Sequence, residues 1–83
     1  MKLKLTVKYF GSVRDDSGTE KEYLNLDEGS TISHAMILLK EKHLGLRTRK
    51  GQILFALNQN YSALEAELKD GDELALFPVV SGG

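Results

Sequence analysis

The chain has no cysteine, which removes disulfides, thiolate metal ligands and any persulfide or thioester carried on a side chain. If the protein carries an activated group, that group is expected on the chain terminus. Charge of one sign is also lacking: eleven Lys and Arg against twelve Asp and Glu leave a formal net charge of -1. A strongly basic face for DNA or RNA is therefore not expected, and neither nucleic acid is an expected partner. No apolar run approaches the roughly 20 residues of a bilayer-spanning helix, and Met1-Lys2-Leu3-Lys4 enters alternation without a signal-peptide core. The expected location is cytoplasmic, with no membrane partner. Proline is scarce too, and the only one stands at Pro78.

What is present suits one small domain: 83 residues, 41% of them hydrophobic and 28% charged, as in an ordinary soluble globular fold. Lys2 to Tyr9 alternates, with Leu3, Leu5, Val7 and Tyr9 on one side, which predicts a half-buried strand. Phe10 to Gly18 reads as an irregular connection with one helical turn. Glu20 to Leu26 predicts a second strand, with Leu24 and Leu26 on its inner face. Ser30 or Thr31 is expected to cap a helix whose inner stripe holds Ile32, Ala35, Met36, Leu39 and His43, with Leu38 beside them and Gly45 as the stop. Leu46 to Gly51 reads as a basic loop and Ile53 to Asn58 as a strand covered on at least one face. Asn60-Tyr61-Ser62 reads as a turn, Ala63-Leu64 as a brief edge strand, Lys69-Asp70-Gly71-Asp72 as a turn, and Glu73 to Phe77 or beyond as the last strand. The predicted class is an α+β roll of the β-grasp, ubiquitin-like type: a mixed sheet of four to five strands with one main helix. Residues 1–77 form the domain and 78–83 a flexible tail.

Side-chain chemistry finds few candidates. His34 and His43 lie nine residues apart, and at about 100° per residue they point to opposite sides of a helix, so no shared metal is expected. Asp15, Asp16, Asp70 and Asp72 fit turns. Gly11, Gly18 and Gly29 are too dispersed for a phosphate cradle, and no serine–histidine pairing suggests a nucleophile. Arg47, Arg49 and Lys50 read as solvated. Among the aromatics, Tyr9 and Phe55 fit a core, whereas Phe10, Tyr61 and Phe77 fit a partner interface, where aromatics concentrate binding energy. The last residues are the strongest feature. Pro78, Val79, Val80 and Ser81 form a rail leading to Gly82 and Gly83, and two residues without Cβ atoms can enter a channel that excludes any side chain.

Leu68 to Gly83, with Val7 to Arg14 and Phe55 to Gln59, resembles the molybdopterin synthase small subunits, a family of Gly-Gly-tailed, ubiquitin-like sulfur carriers. One position departs: where the family often has a second proline after the phenylalanine, this chain has Val79. The resemblance implies a sulfur-donating, non-catalytic subunit of a sulfurtransferase in molybdenum cofactor biosynthesis, within a heterotetramer. It implies no bound cofactor. Instead the Gly83 carboxylate passes through a glycyl adenylate, made with ATP by an adenylating enzyme of the ubiquitin-activating type, to a thiocarboxylate (1-thioglycine) supplied by a sulfur donor. The synthase large subunit is the implied acceptor partner, with Gly82 and Pro78 to Ser81 inserted and Phe77, Phe10 and Tyr61 in contact. Two other readings stay open on the residues: a carrier or ubiquitin-like protein modifier for another pathway, and a non-reactive ubiquitin-like binding module.

Overall fold

A computed structural model describes residues 1–79. In chain order the elements are β1 (Lys2–Tyr9), α1 (Gly11–Ser17), β2 (Lys21–Asp27), α2 (Ile32–Lys42), α3 (Leu44–Arg47), β3 (Ile53–Leu57), β4 (Asn60–Tyr61) and β5 (Glu73–Pro78). The strands form one mixed sheet in the order β2-β1-β5-β3-β4. β1 and β5 run parallel at its centre and the remaining pairings are antiparallel. This is the β-grasp roll that the order of elements predicts.

The period-two pattern of β1 decides which face is buried. Leu3, Leu5, Val7 and Tyr9 are each at most 2% exposed, and they meet Leu24 and Leu26 of β2 and Leu74 and Leu76 of β5 beneath the helices. From α2, Ile32, Ala35, Met36 and Leu39 complete this core, and Val13 and Leu46 close it from α1 and α3. Leu38, expected beside the α2 stripe, faces outward, because its neighbour Leu39 occupies the inner position of that turn.

Thr31 caps α2: its Oγ1 accepts the His34 backbone N–H, and the His34 Nδ1 accepts the Thr31 N–H. The two N–H groups that follow, on Ile32 and Ser33, donate to the carbonyls of Ala66 and Leu64. Residues 63–64 are therefore not an edge strand. Their segment satisfies the open end of a helix instead.

Five further expectations change. The connection after β1 is a seven-residue helix with Val13 fully buried, so core packing decides where the turn-forming residues suggested irregular chain. The α2 helix ends at Lys42, because His43 adopts an extended backbone and reaches back to Glu22. Gly45 is therefore not a stop but lies inside α3, where a Cβ would strike the backbone of Asp16; the glycine lets α3 and α1 touch. The segment expected as a basic loop begins inside α3, with Leu46 buried and Arg49 bound to Asp16 and Ser12 of α1. Finally, the hairpin turn falls at Asn58-Gln59, both at positive φ (51° and 72°), so that Asn60 and Tyr61 form β4. Asn58 is tied there by its side chain to Asp72 and to the Glu73 N–H, which allows a non-glycine residue to hold that conformation.

Candidate functional site: the end of β5 and the open sheet face

Strand pairing places residues that are far apart in sequence on one face. Across the sheet Lys8 pairs with Ala75, Ala75 with Ala56, and Ala56 with Tyr61, while Leu54 pairs with Phe77. Directly paired residues share a face, so all of these side chains point away from the helices. Phe10 joins them by stacking on Phe77, with ring centroids 4.7 Å apart and planes within 9°. The result is a groove floored by Ala56 and Ala75 and walled by Phe10, Phe77 and Tyr61. Tyr61 is 76% exposed, Leu54 42% and Phe10 41%, which is unusual for large apolar side chains gathered in one place. An ion pair between Lys8 and Glu73, 3.2 Å long, borders the patch on one side.

The three aromatics read from the sequence as an interface therefore lie together. Leu54, Ala56 and Ala75 belong to the same surface and were not singled out. Their signal was present only as alternation inside the runs Ile53 to Leu57 and Leu74 to Phe77, which apolar residues on both faces conceal.

The patch adjoins the C-terminal end of β5. β5 continues through Pro78, which pairs with Ile53, and the Val79 N–H donates to the Gln52 carbonyl at 3.2 Å. Pro78, expected as the first residue of the tail, therefore belongs to β5. Proline fits inside this strand because of its register: the pairs whose backbone groups bond across β3 and β5 include Asn58 with Glu73 and Gln52 with Val79. Alternation then turns the Pro78 nitrogen away from β3, and its missing N–H costs no ladder bond. Gly11, at φ +57°, lies against the ring, where an added Cβ would sit 2.9 Å from the Pro78 Cγ. Val80, Ser81, Gly82 and Gly83, the remaining tail residues read as functional, lie outside the described residues.

Behind Phe10, on the helical side, a polar cluster joins three elements. Glu22 of β2, with a side chain 11% exposed, accepts the Tyr9 hydroxyl at 2.5 Å and meets His43 Nε2 at 2.5 Å and Lys42 Nζ at 2.7 Å. Burial pushes the Glu22 carboxyl up, but the hydrogen bonds from Lys42, Tyr9 and His43 outweigh it, and the net direction is down. Burial first, then the bond to Glu22, holds the Tyr9 phenol far above its ordinary range. Glu22 Oε2 takes the Tyr9 and His43 contacts and Oε1 faces the Lys42 ammonium, so the cluster reads as a brace for β1, β2 and the end of α2. His34 serves as a cap and His43 as part of the brace, and among the described residues no three His, Asp or Glu side chains gather as metal ligands. No helix among these residues is long and apolar enough to cross a membrane.

Comparison with known proteins agrees with this architecture. The family model described as ThiS family matches residues 7–83. The molybdopterin synthase sulfur carrier subunit of Mycobacterium tuberculosis is 34% identical over 82 residues, covering 98% of this chain and 99% of that one. Among solved structures, SAMP1 of Haloferax volcanii is similar with a TM-score of 0.86 and 30% identity, covering 96% of this chain and 99% of that one. The complex of subunits 1 and 2 of molybdopterin-converting factor from Helicobacter pylori contains a chain with a TM-score of 0.69 and 29% identity, covering 98% of this chain and 100% of that one. The chain belongs to the ThiS family and, within it, to the molybdopterin synthase sulfur carrier subunits.

Proposed function

We propose that this protein carries sulfur on its Gly83 carboxyl group and delivers it, as the small subunit of a molybdopterin synthase, to a cyclic pterin precursor. A carboxylate is a poor acyl donor, so activation comes first. One carboxylate oxygen attacks the α-phosphorus of ATP in a partner enzyme of the ubiquitin-activating type, and pyrophosphate leaves. A sulfur donor then displaces AMP and leaves a thiocarboxylate. In the synthase, that sulfur forms the new carbon–sulfur bond and the carrier returns to a carboxylate after hydrolysis. The catalytic side chains belong to the partners. This chain contributes the reacting atom at Gly83, the clearance of Gly82, the rail from Pro78 to Ser81 and the docking surface at Phe10, Tyr61 and Phe77. Pairing with a large subunit is supported by the Helicobacter pylori complex, and a heterotetramer of two subunits of each kind is the assembly we infer. The chain acts in the cytoplasm, where ATP and the activating enzyme are available.

One observation carries the proposal: the exposed aromatic patch lies beside Pro78, at the root of the Gly-Gly tail. Docking there brings the tail toward a partner's active site, because β5 stays paired through Pro78 and Val79 is still hydrogen-bonded to Gln52. Intact mass spectrometry after incubation with ATP, the activating enzyme and a sulfur source tests the chemistry. The expected result is an oxygen-to-sulfur mass increment that disappears when Gly83 is deleted. No increment under conditions that charge another carrier of this family would sink the idea.

A second reading has specific support in the likeness to SAMP1, named a small archaeal modifier protein. The same activated carboxyl group would then be attacked by a lysine amine. Lysine-linked conjugates, rather than sulfur transfer to the pterin with the large subunit present, would favour that role.

A further inference from the structure

The outer edge of β2 is open among the described residues. β2 is the outermost strand on its side of the sheet and pairs only with β1 among the described residues. The Tyr9 N–H donates to the Glu20 carbonyl and the Glu28 N–H to the Met1 carbonyl. In an antiparallel ladder the bonded pairs alternate, so the even-numbered residues from Glu20 to Glu28 turn their backbone groups toward β1. Those of Lys21, Tyr23, Asn25 and Asp27 point outward. Two of the outward carbonyls already have local donors, Thr19 Oγ1 on Lys21 and the Ser30 N–H and hydroxyl on Asp27. Tyr23 and Asn25, at the middle of the strand, keep both their N–H and C=O groups open. Beside this edge runs a groove lined by Asn25, Leu26, Ile37 and Leu38, in which Ile37 is 54% and Leu38 40% exposed. An open strand edge next to exposed apolar side chains is a surface that a further strand would cover.

We propose that the strand that covers it is β2 of a second copy of this chain, antiparallel, about a two-fold axis through Leu24. The sequence Lys21-Glu22-Tyr23-Leu24-Asn25-Leu26-Asp27 reads with opposite charge at its two ends. In the register centred on Leu24, Lys21 of each copy faces Asp27 of the other, and Tyr23 faces Asn25, so that the open backbone groups of these two residues meet in bonded pairs. Centring the axis on Tyr23 or on Asn25 also satisfies the backbone parity, but each leaves both end charges opposite neutral residues: Lys21 opposite Asn25 and Asp27 opposite Thr19 in the first, Asp27 opposite Tyr23 and Lys21 opposite Gly29 in the second. Only the Leu24 register joins Lys21 to Asp27 on both sides of the axis, and opposite charges directly across a ladder are favourable. Asp27 then lies between Lys2 of its own β1, 2.7 Å away, and Lys21 of the partner copy. The Ile37 and Leu38 side chains of both copies come under cover. β2 is at the far side of the sheet from β3 and β4, so such a dimer leaves both aromatic patches accessible. The inference is independent of the chemistry proposed for Gly83.

Sedimentation equilibrium of the full chain from micromolar to millimolar concentration tests it. A reversible dimer is expected. Lys21→Asp and Asp27→Lys should each weaken it about tenfold, since each turns two symmetric attractions into repulsions, and the double swap should restore it. Asn25→Pro removes an outward N–H while sparing the ladder to β1, and should abolish the dimer with the circular dichroism of the monomer unchanged. If Asn25→Pro does not fold, the charge-swap cycle decides alone. A chain that stays monomeric throughout overturns the proposal and leaves the edge to a strand of another protein. A dimer indifferent to the swaps also overturns it, because association then uses another surface.

Discussion

The open face of the sheet has two halves of opposite character. On β1 and β2 it presents Lys2, Lys4, Thr6 and Lys8 with Lys21 and Tyr23, and its charges are mostly answered: Lys2 by Asp27, Lys8 by Glu73, and Lys4 and Lys21 by the Tyr23 ring at 4.6 and 5.8 Å. On β5, β3 and β4 it presents Leu54, Ala56, Tyr61, Ala75 and Phe77, with Phe10 stacked at the end. The first half is a solvated surface whose polar groups find partners within the molecule. The second leaves large apolar side chains exposed beside the C-terminal end of β5. One sheet thus separates a face whose charges are mostly answered within the chain from one that leaves large apolar side chains uncovered beside the end of β5.

Breaking the apolar half should have the largest effect. Leu54→Lys places a charge at the centre of the patch and is expected to weaken binding to the synthase large subunit by about 2 kcal/mol or more, roughly thirtyfold, measured by titration calorimetry. Its melting temperature should stay close to that of the unaltered chain, because Leu54 is exposed. The framework behind both halves is more sensitive in stability than in binding. Gly45→Ala drives a methyl group into the Asp16 backbone and should cost about 1–3 kcal/mol in denaturant unfolding. A smaller, pH-dependent loss is expected at the brace. The folded-state pKa of Glu22 lies below its ordinary value, so its contribution is present above the ordinary carboxylate range and is lost as the pH falls through the depressed value. A melting-temperature profile should therefore decline on acidification, and Glu22→Gln should flatten that decline. Exposed Asp27, held down by its hydrogen bond to Lys2, contributes in the same direction in both proteins. Smallest of all, Lys4→Ala on the lysine half should change stability and large-subunit binding by less than about 0.5 kcal/mol in the same assays.

The parts of the fold that follow a period are legible in the sequence. Strict alternation from Lys2 to Tyr9 gives β1 residue for residue, and the spacing of Ile32, Ala35, Met36 and Leu39 gives the inner face of α2. Tertiary contacts decide the rest. His43 looks like one more member of the α2 stripe until Glu22, 21 residues away, is seen to draw it out of the helix. Gly45 looks like a terminator, yet it is a glycine because α1 passes against it. Asn58-Gln59 lacks the glycine that marks most such turns, and its conformation is held by Asp72 and Glu73 from a distant strand. In the candidate site, Phe10, Tyr61 and Phe77 stand out by residue type. That they form one surface with Leu54, Ala56 and Ala75 depends on cross-strand register, which a single strand's sequence does not carry.

The central claim is that the aromatic patch directs partners to the tail. Its most direct measurement is kcat/KM for thiocarboxylate formation at Gly83 by the activating enzyme, compared between the unaltered chain and Phe10→Ala/Phe77→Ala. Removing the stacked pair is expected to lower kcat/KM by about a hundredfold through weaker docking, the loss of two interface aromatics, while circular dichroism reports an intact fold. An unchanged kcat/KM in a folded variant would contradict the claim, because the tail would then be recognised without the surface beside it.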